Sequence, residues 1–544
     1  MLDFDRLQTP PHDGDILIEP GPAHWPAMIE AGRRFQIDHV RLAGVEAAQL
    51  RAQTRQALWK SGDLPAILCG HQPAFIHPGV WAKSVVVAQF SERHGLAGGE
   101  LVVDNDAPHS SGLTVPAAGP DGLVRIHNFT WEADLAGAAY EGRPALSAQA
   151  VEATAQQLSH LLGEAFGQSA LPDYLEGSRQ VQGGDIVAQH LAGRSSIDRP
   201  LGAQPRAIRV SDVFGGAFVA DLLLNADRFA AVYNSALKEY RTAHQVRSAD
   251  RPLPDLGRRG DQIETALWIY QPGQRRCRLW VSRQGDAICL LADQSLAGRI
   301  GVQELTRDPD AALAGLGPWL VRPRALTLTL WARLLACDLF VHGIGGAKYD
   351  RVTDRIFRGY YGLEPPPLAC VSATLQLPLP RHPQAEMEQR AARQRRRDLL
   401  FNPHRYVADL PAAVMERRRA LIDESGRLRA NRASRPDRRR VFLELRQLNA
   451  ELARTPPAVQ EQLDAAVAML ADQYRSHLLA SGRQYFYALQ PRQRLIDLAE
   501  QLAEAVGPVR SPRGLKPAAR SDGGRTARSE PGAQATGHSA WSES

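Results

Sequence analysis

The 544-residue chain has little cysteine, and the cysteines it has form no recognisable pattern. Their number is odd, and no two of them make a C-x-x-C pair. This usage predicts buried free thiols in a reducing compartment and argues against a disulfide framework. The five residues are Cys69, Cys277, Cys289, Cys337 and Cys370.

Long apolar runs are also missing from the sequence. The most apolar stretch, residues 325–341, is broken by Arg333 and Asp338 and is too short to span a bilayer. The first residues do not combine a basic start with an apolar core, so we expect no secretory signal. These absences predict a soluble, cytoplasmic protein with no membrane partner.

Charge of one sign does not dominate the chain. The formal net charge of +6 is modest for this length, and much of it comes from arginines after Arg381. Such a balance permits contact with nucleic acid but does not argue for it, so we expect no nucleic-acid partner. The length exceeds what one compact core normally organises, which predicts two or three domains.

The most informative stretch is residues 64–95, which reads as a strand, a turn-rich loop and a helix. Residues 65–70 form an apolar run with the length of a buried strand, and a helical pattern begins at Val80. A helix N-terminus offers free N–H groups and the positive end of a dipole, which favour phosphate or carboxylate. We therefore predict the active centre at this loop.

Polar side chains of this stretch are assigned to that centre. We predict His71 and His77 as catalytic residues, because imidazoles near an anion can stabilise developing charge. The residues expected to bind the anion or nucleotide here are Gln72, Gly79 and Lys83. The alternative is a crossover loop whose histidines only make structural hydrogen bonds.

A second polar group follows the next apolar run, at residues 100–104. Acidic and imidazole groups after a strand lie where open α/β sheets bind ligands. We predict that Asp104 or Asp106 orients or deprotonates an incoming amine or hydroxyl, and that Asn105 and His109 contact the substrate. Taken alone, the segment reads as a turn, since Asp, Asn and Pro are common turn residues.

A Gly-rich loop after the apolar run 338–341 opens another predicted helix. Its glycines allow a ligand to approach the backbone closely, although the spacing matches neither a P-loop nor G-x-G-x-x-G. We predict that this loop closes the other side of the pocket, with Tyr349 at the substrate. The residues assigned to the anion are Gly343, Gly345, Gly346 and Lys348.

The segment from about residue 120 to 335 reads as insertions into the core. It contains strand-like runs, and a strand pair is predicted at residues 266–270 and 277–281 across a Pro-Gly turn. Arg241 and His244 precede a polar loop, and we predict that they contact a polar substrate. A solvated connection is the alternative for that loop.

Long helices rich in Arg, Gln and Ala begin at residue 383. Apolar residues repeat at spacings of 4, 3 and 4 in two places, which is typical of a coiled-coil seam. The repeats are Val441, Leu445, Leu448 and Leu452, and Leu463, Val467, Leu470 and Tyr474. We predict an antiparallel coiled coil over 383–508 that turns at Pro456-Pro457 and forms a homodimer. Intramolecular packing alone is the alternative.

The chain resembles the bacillithiol-biosynthesis cysteine-adding enzyme family over roughly residues 64–500. Residues 70–73, Gly-His-Gln-Pro, are similar to that family's Gly-Gln-Gln-Pro loop, and Lys83 is similar to a lysine of the following helix. Residues 104–106 resemble its Glu-Asp-His-Asp segment. Residues 343–349 resemble its Gly-Pro-Gly-Glu loop ending in tyrosine, and Tyr-Gly-Leu-Glu-Pro-Pro follows in register.

This resemblance implies a Rossmann-like core related to class I nucleotidyltransferases and aminoacyl-tRNA synthetases. It also implies a dimerising coiled-coil arm and a reaction that joins cysteine to a glucosaminyl-malate. Three departures fall in the pocket. His71 stands where the family has glutamine, the acidic segment lacks its internal histidine, and Gly346 replaces a glutamate.

We therefore expect an α/β, Rossmann-like enzyme with inserted subdomains and a C-terminal antiparallel coiled coil. The expected parts are an N-terminal segment (1–60), a core (61–382), a helical arm (383–508) and a disordered tail (509–544). The favoured function is a ligase or transferase that joins an amino acid or amine to a sugar or carboxylate acceptor. ATP or another nucleotide is a candidate cofactor.

Two other functions stay open at this point. The first is a metal-dependent hydrolase, in which a cluster of nitrogen and oxygen ligands holds zinc. The cluster would consist of His71, His77, Asp106 and His109. The second is a non-catalytic scaffold in which the coiled coil is the working part.

Overall fold

The computed structural model describes residues 7–108, 112–131, 137–248, 251–408, 410–454 and 457–507. Its strands in chain order are β1 Ile16–Glu19, β2 Arg41–Leu42, β3 Val45–Glu46, β4 Ala66–His71, β5 Ala97–Val102, β6 Gly112–Ala118, β7 Val124–Thr130, β8 Arg206–Arg209, β9 Arg258–Arg259, β10 Gln262–Tyr270, β11 Cys277–Gln284, β12 Ala287–Ala292, β13 Ser295–Gly301, β14 Leu320–Pro323, β15 Leu339–His342 and β16 Leu368–Ala373.

The α-helices alternate with these strands and dominate the C-terminal part. They are α1 Trp25–Arg33, α2 Ala47–Trp59, α3 Pro78–His94, α4 Ala148–Leu162, α5 Glu164–Gln168, α6 Leu171–Arg179, α7 Ile186–Asp198, α8 Val210–Val213, α9 Gly216–Leu224, α10 Ala226–Ala243, α11 Val302–Arg307, α12 Pro309–Ala314, α13 Ala325–Trp331, α14 Ile344–Ile356, α15 Ala385–Phe401, α16 Ala412–Ala430, α17 Arg435–Ala453, α18 Pro457–Ala480 and α19 Arg492–Ala505.

The main sheet has the spatial order β1-β16-β15-β4-β5-β8 in the part of the chain that is described. Its strands are parallel, except that β1 pairs antiparallel with β16. The chain runs outward from β4 to β5 and β8, then returns to place β15 on the other side of β4. This confirms the predicted α/β class. The strand order reverses between β4 and β15. Open α/β sheets bind ligands at such a reversal, beyond the carboxyl ends of the strands.

Strand β4 shows why these segments read as continuous apolar runs. Leu68 faces one buried core, whereas Ile67 and Cys69 face the other. Because both faces of a parallel sheet are covered, successive residues are apolar instead of alternating with polar ones. The second core also contains apolar residues of α3 and α19, so α19 packs against α3 in this core and not with the helical arm.

Two insertions interrupt the main sheet. The first lies between β5 and β8 and contains the hairpin β6–β7 and helices α4 to α7. It starts directly after Val102, earlier than the predicted residue 120. The second lies between β8 and β15 and contains an antiparallel sheet of order β13-β12-β11-β10-β14. The predicted strand pair across the Pro-Gly turn is confirmed as β10 and β11.

The four arm helices α15 to α18 pair in a way the sequence did not indicate. Helix α16 lies along α17, and α18 lies along α15. Val441, Leu448 and Leu452 of the first seam pack with Leu421 of α16. Intramolecular packing therefore accounts for that seam. The turn at Pro456-Pro457 falls partly outside the described residues, and α18 makes its main contact with α15, not α17.

Four further predictions concern the two ends of the chain, membrane-spanning helices and the cysteines. Strand β1 belongs to the predicted N-terminal segment, yet it forms an edge of the main sheet. The tail 509–544 lies outside the described residues. No described helix is both long and apolar enough to cross a membrane. All five cysteines are free, and only Cys277 is partly exposed.

Candidate active site

The side chain of His71, at the end of β4, lines a cavity of about 260 Å³ together with Gln72. Phe75, Tyr140 and Phe486 form other parts of the lining. The rings of Phe75 and Phe486 meet edge to face, with centroids 5.0 Å apart. The cavity therefore combines aromatic walls with an imidazole and an amide, which suits a small polar ligand with an apolar part.

The imidazole of His71 has a defined tautomer. Its Nδ1 lies 3.1 Å from the carbonyl oxygen of Gln72, and because a carbonyl only accepts, Nδ1 carries the hydrogen. Nε2 keeps its lone pair and has no hydrogen-bond partner among the described residues. Burial and the nearby charge of Lys83 lower the pKa of His71 to about 3. The ring is therefore neutral, and its free nitrogen is an acceptor, so the predicted stabilisation of charge on an anion finds no support in this tautomer.

Gln72 and Asp106 connect the loops after two neighbouring strands. Gln72 Nε2 donates to Asp106 Oδ2, and the N–H of Ala107 donates to Asp106 Oδ1 at 2.9 Å. Arg276, just before β11, places Nη1 2.5 Å from the same Oδ1. The structure thus brings together two of the predicted segments. Arg276 was missed because nothing in its local sequence distinguishes it from other arginines.

Asp104 lies beside this cluster but is fully buried. Its Oδ1 accepts from the N–H of Ser211 at 3.0 Å, and its Oδ2 accepts from the Ser211 hydroxyl at 2.5 Å. Burial raises the pKa of Asp104 to about 6. Because both oxygens are occupied at the start of α8, Asp104 fixes the loop to that helix and has no free oxygen for a substrate proton.

Asn105 is also directed into the fold. Its Nδ2 donates to the carbonyl oxygen of Pro323 at 2.8 Å, and the residue is 2% exposed. The amide therefore links the loop after β5 to β14. Its predicted role in binding substrate finds no support in these contacts. His109 lies outside the described residues.

The N-terminus of α3 is closed by its own cap. His77 Nδ1 accepts from the N–H of Gly79 at 3.1 Å, and the His77 carbonyl accepts from Val80 and Trp81. Pro78 has no N–H, so every N–H group of the first turn has a hydrogen-bond acceptor. Burial lowers the pKa of His77 to about 4, which keeps the ring neutral. No N–H group of this turn is left for an anion, so the predicted anion site at this helix end finds no support, and His77 acts as a capping residue.

Gly79 and Lys83 likewise have structural contacts. A Cβ on Gly79 would lie 2.7 Å from the carbonyl oxygen of Ala373, so glycine lets α3 approach β16 closely. Lys83 is buried, and its Nζ donates to the carbonyl oxygen of Gly70 at 2.8 Å. Burial lowers the pKa of Lys83. Neither residue lines the cavity beside His71.

The N-terminus of α14 differs from that of α3. Gly343 caps the helix without a side chain, and the first-turn N–H groups of Ile344, Gly345 and Gly346 have no partner among the described residues. A Cβ on Gly343 or Gly345 would meet open space. Since Val341 of β15 pairs with Cys69 of β4, this turn follows β15 next to the loop that begins at His71.

Two other predicted residues lie on the first turns of α14. Lys348 is partly exposed and makes no ion pair with a described residue. Burial and the charges of Asp350 and Asp106 raise the pKa of Tyr349 to about 12. Because β15 and β5 flank β4 in the sheet, the turn before α14 and the loop after β5 both lie beside the loop that follows β4.

Arg241 and His244 belong to another part of the surface. Arg241 donates to the carbonyl oxygens of Arg251 and Leu253 and to Asp255 Oδ1, so it braces its own loop. It lines a cavity of about 980 Å³ that shares no lining residue with the one beside His71. The structure therefore does not bring these two residues to the predicted centre.

A metal centre finds no support in the described residues. They contain no group of three or more His, Cys, Asp or Glu side chains arranged to hold a metal ion. His77 Nδ1 is occupied by the α3 cap, and Asp106 is bound by Arg276 and Gln72. Two of the four predicted zinc ligands, His77 and Asp106, are thus used in other ways.

Neither a family model nor a curated protein matches this chain.

Proposed function

We propose that this chain is an enzyme of the ligase or transferase type that joins an amine or amino acid to a sugar or carboxylate acceptor. One observation carries the proposal. His71 of β4, Asp106 after β5 and the open first turn of α14 surround the carboxyl edge of the sheet where the strand order reverses. Such edges are the usual ligand sites of open α/β sheets.

A Rossmann-like core is part of this proposal. Numbered along the chain from β4, the five parallel strands have the order 3-2-1-4-5 across the sheet. Doubly wound nucleotide-binding folds contain this order. It supports the fold implied by the family resemblance, and with it a nucleotide or another phosphorylated compound as a substrate.

The proposed roles follow from the free atoms of the site. His71 Nε2 has an available lone pair at the cavity, so it accepts a hydrogen bond from the incoming amine or hydroxyl. Asp106, held by Arg276 and Gln72, fixes the geometry of the two loops. Phe75 and Phe486 contact the less polar part of the substrate.

We also propose that the arm forms a homodimer and carries the coiled coil. All but one of the large exposed apolar side chains in the described residues lie on α15 to α18. They are Met387, Leu400, Phe401, Ile422, Phe442, Leu443, Met469 and Leu478. Light scattering on the whole chain and on a Phe442→Glu, Leu443→Glu variant tests this. The proposal expects a dimer that dissociates in the variant, and a monomeric wild type would contradict it.

The enzymatic proposal is tested by incubating the protein with ATP, amino acids and glucosaminyl-malate and examining the products by mass spectrometry. We expect a product whose mass equals the two joined substrates less one water. His71→Ala should abolish it, and His160→Ala, which changes an exposed histidine of α4, should not. Absence of any condensation product, or equal yields from wild type and His71→Ala, would contradict the proposal.

A further inference from the structure

His342, the last residue of β15, is a buried histidine that does not line the cavity beside His71. It is 5% exposed, and its Nε2 lies 3.1 Å from Asp350 Oδ2. Asp350 also accepts from Arg333 Nη1 at 2.6 Å and from the hydroxyl of Thr329 at 2.8 Å. Although burial opposes it, Arg333 and His342 hold the pKa of Asp350 below its usual range. Asp350 is therefore a carboxylate, and His342 Nε2 carries the hydrogen that it accepts.

The other ring nitrogen of His342 faces the start of α14. A Cβ built on Gly346 would lie 2.7 Å from His342 Nδ1, so this nitrogen is directly beside the first turn of the helix. It has no hydrogen-bond partner among the described residues. Asp350 thus orients the ring so that its remaining polar atom points to the turn, and glycine at 346 keeps the approach open.

The first turn of α14 adds positive potential at the same place. The N–H groups of Ile344, Gly345 and Gly346 are free, as described above, and they form the positive end of a thirteen-residue helix. Lys348, one turn further on, is partly exposed and has no acidic partner among the described residues. Gly345 is exposed, so a ligand can reach the turn from solvent.

We propose that the first turn of α14 and His342 Nδ1 bind the anionic group of the substrate, a phosphate or a carboxylate. The inference rests on the proposed function, because it concerns the same edge of the sheet. It keeps the α14 part of the predicted anion site, adds His342 and leaves out α3. An anion in the turn and Asp350 then lie at opposite nitrogens of the ring. A ring that carries a hydrogen on each nitrogen donates one hydrogen bond to Asp350 and one to the anion.

Isothermal titration calorimetry on the full chain tests this with inorganic pyrophosphate, ATP and malate as probes. Two variants address the site. Gly346→Ala places a methyl group against His342 Nδ1, and His342→Gln keeps a donor for Asp350 while removing the imidazole. Gly426→Ala is the matched control, because its Cβ on α16 meets open space. His71→Ala is titrated alongside them, and thermal melts of all five proteins show whether the fold is intact.

We expect wild type and Gly426→Ala to bind at least one probe equally well. The two site variants should bind it about 10- to 100-fold more weakly, as loss of a hydrogen bond to a charged group predicts. Preference for pyrophosphate and ATP identifies a phosphate site, and preference for malate a carboxylate site. If neither folded variant loses affinity, or if no probe binds, the inference is wrong. Binding that is lost only in His71→Ala would contradict this inference and leave the proposed function standing.

Discussion

Arg276 places Nη1 2.5 Å from Asp106 Oδ1, and this ion pair joins the inserted antiparallel sheet to the carboxyl edge of the parallel sheet. The same guanidinium lies over the ring of Trp268, 4.9 Å from its centroid, and Arg324 covers that ring at 4.5 Å. The ion pair holds the insertion against the loop after β5, and the stacking holds Arg276 within the insertion. No residue of β9 to β14 lines the cavity beside His71.

Replacing Arg276 by glutamine should weaken both the fold and the site. The Arg276 side chain is 15% exposed and that of Asp106 is 33% exposed, so the pair is partly shielded from water. We expect the free energy of unfolding to fall by about 1–3 kcal/mol in urea titrations. Arg275→Gln is the control, because its pair with Asp293 is much more exposed and should cost less than about 0.5 kcal/mol. Equal losses in both variants would contradict the assignment.

The cap formed by His77 predicts a sensitivity to acid. Its folded pKa of about 4 lies below the unfolded value of about 6.5, so the unfolded state binds more protons between those pH values. The contribution of the neutral ring to the free energy of unfolding is fully present above pH 6.5 and is lost as the pH falls towards 4. His77→Asn keeps a capping side chain that does not titrate.

That variant should match the wild type at pH 7.5 and exceed it by about 1–2 kcal/mol at pH 5. Urea unfolding at the two pH values measures the difference. His77→Ala provides the comparison without a cap and should lose about 1 kcal/mol at pH 7.5. A difference between wild type and His77→Asn that does not change with pH would rule out the buried neutral cap.

The strand–loop–helix unit around His71 could be predicted because its signals are local. An apolar run, a Gly/Pro loop and a helical pattern specify β4 and α3 whatever surrounds them. The orientation of His77 could not be predicted. A histidine before a helix can face a ligand or cap the helix, and the choice depends on the rotamer that the packed structure allows.

The sequence also could not show which residues far apart in the chain contact each other. Arg276 reaches Asp106 from an insertion far along the chain, and no periodicity encodes that contact. His342 sits in a short apolar run, and its link to Asp350 depends on how α14 turns back against β15. The apolar seam of α17 showed which residues face inward, but α16 and not α18 covers them.

The buried carboxyl of Asp104 predicts that stability falls as the pH rises, which is the opposite of the dependence predicted for His77. Its folded pKa of about 6 lies above the unfolded value of about 3.9, because burial disfavours the charge. The folded state therefore binds more protons in that window, and stability falls by about 2–3 kcal/mol as the pH rises from 4 to above 6. Asp104→Asn lacks this loss. Its stability relative to wild type should improve by that amount between pH 4 and pH 7, and a constant difference would contradict the buried carboxyl.

Lys83 tests whether α3 has any part in binding. Lys83→Met removes the hydrogen bond to the carbonyl oxygen of Gly70, which lowers stability. It also removes the free-energy cost of burying a charged amine, which raises stability. We expect the two effects to offset each other to within about 2 kcal/mol in stability. Affinity for ATP or pyrophosphate should change less than about threefold. A tenfold loss of affinity with an unchanged melting temperature would return the anion to α3.

The most direct test of the account is ligand-induced thermal stabilisation of wild type, His71→Ala and His160→Ala. The panel consists of nucleotides, amino acids and sugar–carboxylate conjugates, each at high concentration. A ligand present at a hundred times its dissociation constant should add about 2.7 kcal/mol to the stability of the folded state. We predict that at least one compound stabilises wild type and His160→Ala but not His71→Ala. If no compound stabilises the wild type, or if the stabilisation is equal in His71→Ala, the proposed role of His71 in the binding site is contradicted.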